Sequence, residues 1–217
     1  MRYGLVGYKG KMGKELQQVF LEDGHELVVK VDVNEREITA RPDVILDFSS
    51  PSALQTTISL AKEFNCAVVV GTTGLSQQQL QELKMLGEIV PVVYSANFSI
   101  GIDLVKRILA FIKDQLEGWD IWILEAHHNQ KKDAPSGTAL ALKNIIGKDV
   151  PTLSIRAGGI PGDHTVILAN SGEVVEIHHR AISRRTFALG ALKAAKFAVN
   201  ASRGFYSFSE VLDQIHK

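Results

Sequence analysis

A chain of 217 residues with 24 basic and 24 acidic side chains is long enough to bury a real core in two modest lobes, and its balanced charge offers no overall field for nucleic acid or an anionic membrane. Its single cysteine, Cys66, excludes an intrachain disulfide and suits a reducing compartment. No apolar run reaches the roughly 18 residues of a membrane span, and the first strand starts at residue 2, so neither signal peptide nor anchor is expected and a cytoplasmic location is.

Residues 2–6 form a short apolar strand, followed at once by Gly7, Tyr8, Lys9, Gly10, Lys11, Met12 and Gly13 and then by a helix with Met12, Leu16, Val19 and Phe20 on one face. Strand, glycine turn and helix are the context a dinucleotide pyrophosphate requires, because the backbone must turn tightly and approach the ligand closely. A second strand over residues 27–31 ends at Asp32, close to the spacing of ~20 residues at which a ribose-binding acid follows the glycines. The GxxGxxG spacing is one residue longer than the common form, and a plain surface turn is the alternative reading.

Strand and helix go on alternating. Strands are predicted at 44–48, 67–70 and 89–93, with a helix opened by Ser50 and Pro51 and another capped by Ser76. Five near-continuous apolar strands with intervening helices predict a parallel sheet covered on both faces. Ligands bind beyond the carboxyl ends of such strands, which puts Gly7 to Met12, Asp32, Gly71, Thr72, Thr73, Ser95, Ala96, Asn97 and Phe98 on one rim.

The pattern then changes. A long amphipathic helix carries Val105, Ile108, Leu109, Ile112 and Leu116; strands follow near 119–126, 152–156, 164–170 and 173–179, the last two joined by a Ser171-Gly172 hairpin. Helices over 186–200 and 210–215 close the chain. The expected fold is therefore α/β: a Rossmann-like parallel-sheet dinucleotide domain over residues 1–97, with 187–217 packed on it, and an α+β substrate and oligomerisation domain over 98–186 with a mixed or antiparallel sheet.

Residues 125–140, EAHHNQKKDAPSGTAL, are the densest chemistry in the chain. The strand leads into His127 and His128, which can serve one pocket only if strand geometry breaks there, since alternation sends neighbours to opposite faces. Ser136 then caps a helix begun by Gly137 and Thr138. Open N–H groups at that start, the Thr138 hydroxyl and the Lys131 and Lys132 ammonium groups suit a carboxylate or phosphate, with imidazole as proton donor. A solvated basic loop with surface histidines is the alternative.

The glycine turn with Lys11-Met12, Asp47-Phe48-Ser49, GTTG at 71–74, Ala96 to Gly101, EAHHNQKKDAPSGTA and the glycine-rich loop from Arg156 to Thr165 together resemble the 4-hydroxy-tetrahydrodipicolinate (dihydrodipicolinate) reductase family over essentially the whole chain. That resemblance implies reduction of a cyclic imine dicarboxylate with NADH or NADPH in lysine and diaminopimelate synthesis. It implies His127 as proton donor and acceptor, Lys131 as second proton donor, His128 as a substrate contact, and Gly137 and Thr138 as the carboxylate seat. Gly7, Tyr8, Lys9, Gly10, Lys11, Met12, Gly71, Thr72, Thr73, Ser95, Ala96, Asn97 and Phe98 match its cofactor turns, and a homotetramer built through the second sheet is implied. The segments 34–43 and 147–152 are shorter than in many relatives. Asp32 favours an NADH ribose while Lys9, Lys11 and Arg36 suit a 2′-phosphate, so both cofactors are expected, with a slight lean to NADPH.

Other residues carry less. His178 and His179 read as packed or surface histidines, no metal spacing being evident; Arg184 and Arg185 suit either a substrate carboxylate or a solvated role; Cys66, Trp119 and Trp122 read as core or interface. A dehydrogenase of a small amino or hydroxy acid and a non-catalytic dinucleotide sensor are the competing functions. A sensor has no need of a proton donor beside an anion seat.

Overall fold

The computed structural model describes residues 1–147 and 149–215; Lys148, in the short 147–152 connection, lies outside them. The chain divides into two compact units, Met1–Phe98 with Phe187–Lys217, and Ser99–Thr186.

In the first unit β1 (Arg2–Val6), α1 (Lys11–Glu22), β2 (Glu26–Asp32), β3 (Glu35–Ile38), β4 (Val44–Asp47), α2 (Leu54–Phe64), β5 (Ala67–Val70), α3 (Gln77–Gly87) and β6 (Pro91–Tyr94) follow one another. The second unit contains α4 (Ile100–Ile112), β7 (Asp120–His127), α5 (Gly137–Ile146), β8 (Thr152–Arg156), β9 (Asp163–Ala169) and β10 (Val174–Arg180). The chain ends with α6 (Arg185–Asn200), β11 (Gly204–Ser207) and α7 (Phe208–Ile215).

The first sheet has the order β11-β6-β5-β4-β1-β2-β3. Every pairing is parallel except β2 with β3. It has two strands more than the five expected. All four residues of β3 are exposed and three are charged, so it is a polar edge strand with no buried face to leave a period-two signature. The four residues of β11 are too few, and too near a glycine, to read as a strand. The strand expected from residue 89 begins at Pro91, where a missing N–H costs no ladder bond. The sheet's core is aliphatic: Leu5, Val44, Leu46, Val69 and Val93 meet Leu16 and Phe20 of α1 and the alanines of α6. Ala188, Ala191, Ala194, Ala195 and Ala198 are all buried, and a Cβ placed on Gly190 would lie 1.8 Å from the Phe98 carbonyl oxygen. Small residues, rather than a leucine stripe, bring this helix close.

The second sheet, β10-β9-β7-β8, is mixed: β7 and β8 are parallel, the other pairs antiparallel. One face packs on α4 and α5 through Ile121, Ile123, Val166, Leu168, Leu109 and Leu142. The register puts Trp122, Leu153, Ile155 and Val174 on the other face, where they are 44–61% exposed. Cys66 is buried, and burial pushes its thiol up to about 12, which makes it an inert packing residue. Among the described residues no helix is long and apolar enough to cross a membrane, and no cluster of metal-ligating side chains occurs.

Candidate functional site

The residues expected to form the site divide between the two units. In the first, the rim beyond the strands is built around the turn from Gly7 to α1. Gly7 has φ +82°, and a Cβ on Gly13 would stand 2.3 Å from the Gly7 carbonyl oxygen, so both glycines are obligatory for this backbone. The cap residue of α1 is Gly10, and no side chain caps it. Its first turn therefore presents backbone N–H groups and the positive end of the helix dipole to an anion, a cradle that fits a dinucleotide pyrophosphate.

Asp32 ends β2, and its two carboxylate oxygens accept from the N–H groups of Lys9 at 3.2 Å and Val33 at 2.9 Å, which fixes the loop next to the glycine turn. Lys9 donates to Glu35 at 2.5 Å, Tyr8 donates its phenol to the same carboxylate at 2.5 Å, and Arg36 donates to Glu63 at 2.7 Å. Lys9 and Arg36, both expected to meet a 2′-phosphate, thus already face carboxylates.

At the ends of β4 and β5, Asp47 is fully buried. Thr57 and Thr72 donate hydroxyl protons to it at 2.7 Å each, and the Ser49 N–H donates at 3.1 Å. The Thr72 side chain is committed to this network and Thr73 is exposed, while a Cβ on Gly71 would strike the Phe48 ring. Ser95 accepts from the Asn97 N–H at 3.2 Å and donates to the Asn97 carbonyl at 2.6 Å, bracketing Ala96; the Phe98 ring packs between Phe48 and Phe208.

The second unit holds the residues expected to move a proton and seat an anion. Along β7 the alternation puts Ile121, Ile123, Glu125 and His127 on the buried face; the first two enter the core and the last two leave its edge. Strand geometry ends at His127, and Lys131 N–H closes a turn onto the His128 carbonyl at 3.1 Å, so the alternation that would send neighbouring histidines to opposite faces stops there. Lys131 pairs with Asp133 at 2.8 Å with 16% of its side chain exposed, and Lys132 is exposed. Ser136 caps α5 through its hydroxyl, which accepts from the Ala139 N–H at 3.2 Å. Gly137 and Thr138 occupy the first two helical positions, Thr138 buried.

Glu125, which residue patterning does not single out, is fully buried. Arg156 grips it from β8 with a two-pronged bond, 2.9 Å to Oε2 and 2.7 Å to Oε1; the Ser136 N–H donates to Oε1 at 3.2 Å, and His127 Nδ1 contacts Oε2. Burial works against the charge, but the hydrogen bonds from Arg156, Ser154 and His127 outweigh it and hold the carboxyl at about 2. Ionised, Glu125 can only accept, so the proton of that contact sits on His127 Nδ1. Burial lowers His127 below its ordinary value, with Glu125 opposing.

His164 on β9, to which the sequence assigns no role, is buried with Nε2 3.2 Å from the Ser136 hydroxyl and its ring edge-on to His127; burial and the His127 charge drive it down to about 3. Pairing across three strands and a helix start leaves no local pattern, which is why Glu125, Arg156 and His164 escape a reading by spacing. His179 touches the Ser99 hydroxyl that caps α4, and His178 the cross-strand Thr165; both are structural. Arg185 opens α6.

Two family models cover the chain: "Dihydrodipicolinate reductase, N-terminus" matches residues 1–98 and "Dihydrodipicolinate reductase, C-terminus" residues 101–212. The chain is 49% identical to a 4-hydroxy-tetrahydrodipicolinate reductase of Thermosipho africanus over 99% of each chain, and 40% identical to one of Clostridium novyi over 96% of each. Among solved structures it is similar in fold to a dipicolinate-bound dihydrodipicolinate reductase from Paenisporosarcina, with a TM-score of 0.77 at 23% identity, covering 97% of this chain and 98% of that one.

Proposed function

The chain belongs to the dihydrodipicolinate reductase family, and on that premise we propose how its residues reduce 4-hydroxy-tetrahydrodipicolinate to tetrahydrodipicolinate with NAD(P)H in lysine and diaminopimelate synthesis. The observation that carries the assignment is the joining, within one unit, of a buried imidazole and a helix start: His127 and Ser136 bind the same carboxylate. Gly137 and Thr138 receive a substrate carboxylate on the first turn of α5, and the Lys131 ammonium neutralises the dianion and strengthens the electron sink. His128, next along the chain, is a further substrate contact. When bound, the cofactor supplies the hydride. His127, its Nδ1 engaged by Glu125, delivers a proton from Nε2 to the carbon that carries the resulting negative charge, and is recharged from solvent. Lys131 is the second proton source.

The test is loss of NADPH or NADH absorbance on adding freshly generated imine dicarboxylate. Rapid oxidation is expected; no oxidation by folded protein that binds cofactor would overturn the assignment.

Gly7, Tyr8, Lys9, Gly10, Lys11 and Met12 would hold the cofactor's pyrophosphate and Asp32 its ribose, and Gly71, Thr72, Thr73, Ser95, Ala96, Asn97 and Phe98 would complete the cofactor rim. Both cofactors are used. Glu35 holds Lys9, so a 2′-phosphate has to displace a carboxylate, but an ion pair between exposed side chains is screened by solvent and its release does not bar NADPH. Glu35→Gln is expected to raise kcat/KM for NADPH over NADH by roughly fivefold; an unchanged ratio would show that Glu35 does not oppose the phosphate.

The outer face of the second sheet, with Trp122, Leu153, Ile155 and Val174 exposed, is an apolar surface suited to further copies of the chain. We take it as the centre of a homotetramer, working in the cytoplasm. Trp122→Glu puts a charge in that interface, and light scattering after gel filtration is expected to show the mass fall from tetramer to smaller species. A tetramer that persists would move the interface elsewhere.

A further inference from the structure

We infer that Glu125 is the positioning residue that sets both halves of the proton-and-anion site, fixing which nitrogen of His127 exchanges the proton and anchoring the start of α5 beside it. The inference rests on the assignment of His127 as proton donor and of Gly137 and Thr138 as the carboxylate seat.

A fully buried carboxylate gains the core little, because an apolar side chain of similar size serves packing as well or better. Here it is retained at the end of a strand face and is saturated. Oε1 accepts from Arg156 Nη2 and from the Ser136 N–H; Oε2 accepts from Arg156 Nη1 and from His127. The division of labour between the oxygens is what gives the residue a role. Oε1 pins the residue immediately before Gly137, so the first turn of α5 cannot shift without breaking a buried charge-assisted bond. Oε2 engages Nδ1 and so leaves Nε2 as the nitrogen for proton exchange. Nε2 lies on the Gly162 side, where an added Cβ would come within 3.2 Å of it and where φ is +157°. One carboxylate therefore sets the separation between acid and anion seat.

Oε2 is also contested. Arg156 and His127 draw on the same lone pairs, so the strength of the Arg156 grip sets how far Glu125 can stabilise an imidazolium. The charged and titratable groups that face His127 are Glu125 on its own strand, Arg156 from β8, Lys131 from the following loop and His164 from β9. Glu125 favours the protonated ring, Arg156 and Lys131 oppose it, and His164, held neutral by burial, adds no charge. Removing Glu125 and loosening Arg156 must therefore act in opposite directions.

The experiment is the pH profile of kcat/KM for the wild type, Glu125→Gln and Arg156→Lys, with NADPH binding by fluorescence and affinity for pyridine-2,6-dicarboxylate by calorimetry in each. Glu125→Gln is expected to lower kcat roughly 10- to 100-fold, as loss of a histidine's outer partner does, and to weaken the dicarboxylate. It should also move the histidine limb to lower pH by about one unit without altering NADPH affinity. Arg156→Lys keeps the carboxylate but loosens the fork, and should move the limb upward. A low kcat with an unmoved limb in Glu125→Gln would overturn the positioning role, leaving only structural damage; so would limbs moving the same way in both variants. If Glu125→Gln does not fold, an Arg156→Lys limb that stays put or falls overturns it alone. Failure of the underlying assignment is separable, because the wild type itself would then not turn over the imine.

Discussion

Replacing His127 by glutamine is expected to lower kcat by about 10²- to 10⁴-fold, the usual worth of a positioned general acid, while NADPH binding, a property of the other unit, is unchanged. The pH profile gives the sharper test. Burial lowers His127 below its ordinary value despite Glu125, so the free protein carries mostly neutral imidazole at pH 7. The kcat/KM of the wild type should therefore decline as pH rises through that lowered value, and the decline should vanish in His127→Gln. The residual rate is expected to rest on Lys131, the second proton source proposed above. A variant with wild-type kcat, or one that keeps the same acid-dependent limb, would remove His127 from the proton step.

Arg156→Ala is expected to cost about 3–5 kcal/mol of stability at neutral pH, because it strips the two-pronged partner from a fully buried carboxylate. Its dependence on pH has a definite sign. In the wild type the folded value of Glu125, about 2, lies below its ordinary 4.5. Its contribution is thus complete above about 4.5 and is lost as pH falls through about 2. Without Arg156 the burial cost dominates, and the carboxyl shifts above its ordinary value. The penalty is then present at neutral pH and relieved on acidification, so thermal midpoints of wild type and variant should converge between about pH 7 and 4.5. A deficit that is constant over this range would mean that lost packing of the arginine stem, not the stranded charge, is responsible.

The segment proposed to move a proton and seat an anion stood out in the sequence because its residue types cluster locally. His127, Lys131, Ser136, Gly137 and Thr138 lie within a dozen positions, and the Ser136 cap and the chain break after His127 follow from short-range rules of capping and strand alternation. The glycine turn was legible for the same reason: Gly7 and Gly13 are required by contacts within a single turn. The buried support was not. Glu125 follows Ile121 and Ile123 on a core-facing row, where pattern alone predicts an apolar residue, and its acceptability depends on Arg156 arriving from a strand parallel to it.

Sequence by itself thus determined the alternating strands and helices of the first unit, the helix starts and the family, and it supplied the residues proposed to move a proton or seat an anion. Periodicity, capping and turn chemistry act over a few residues and leave a trace in order along the chain. Only the tertiary structure decided that β3 and β11 extend the sheet to seven strands, that Glu35 and Glu63 already hold Lys9 and Arg36, and that one carboxylate joins the acid to the helix start. These depend on hydrogen bonds and ion pairs between residues far apart in the chain, and such pairings are fixed by register and burial, which no local pattern encodes.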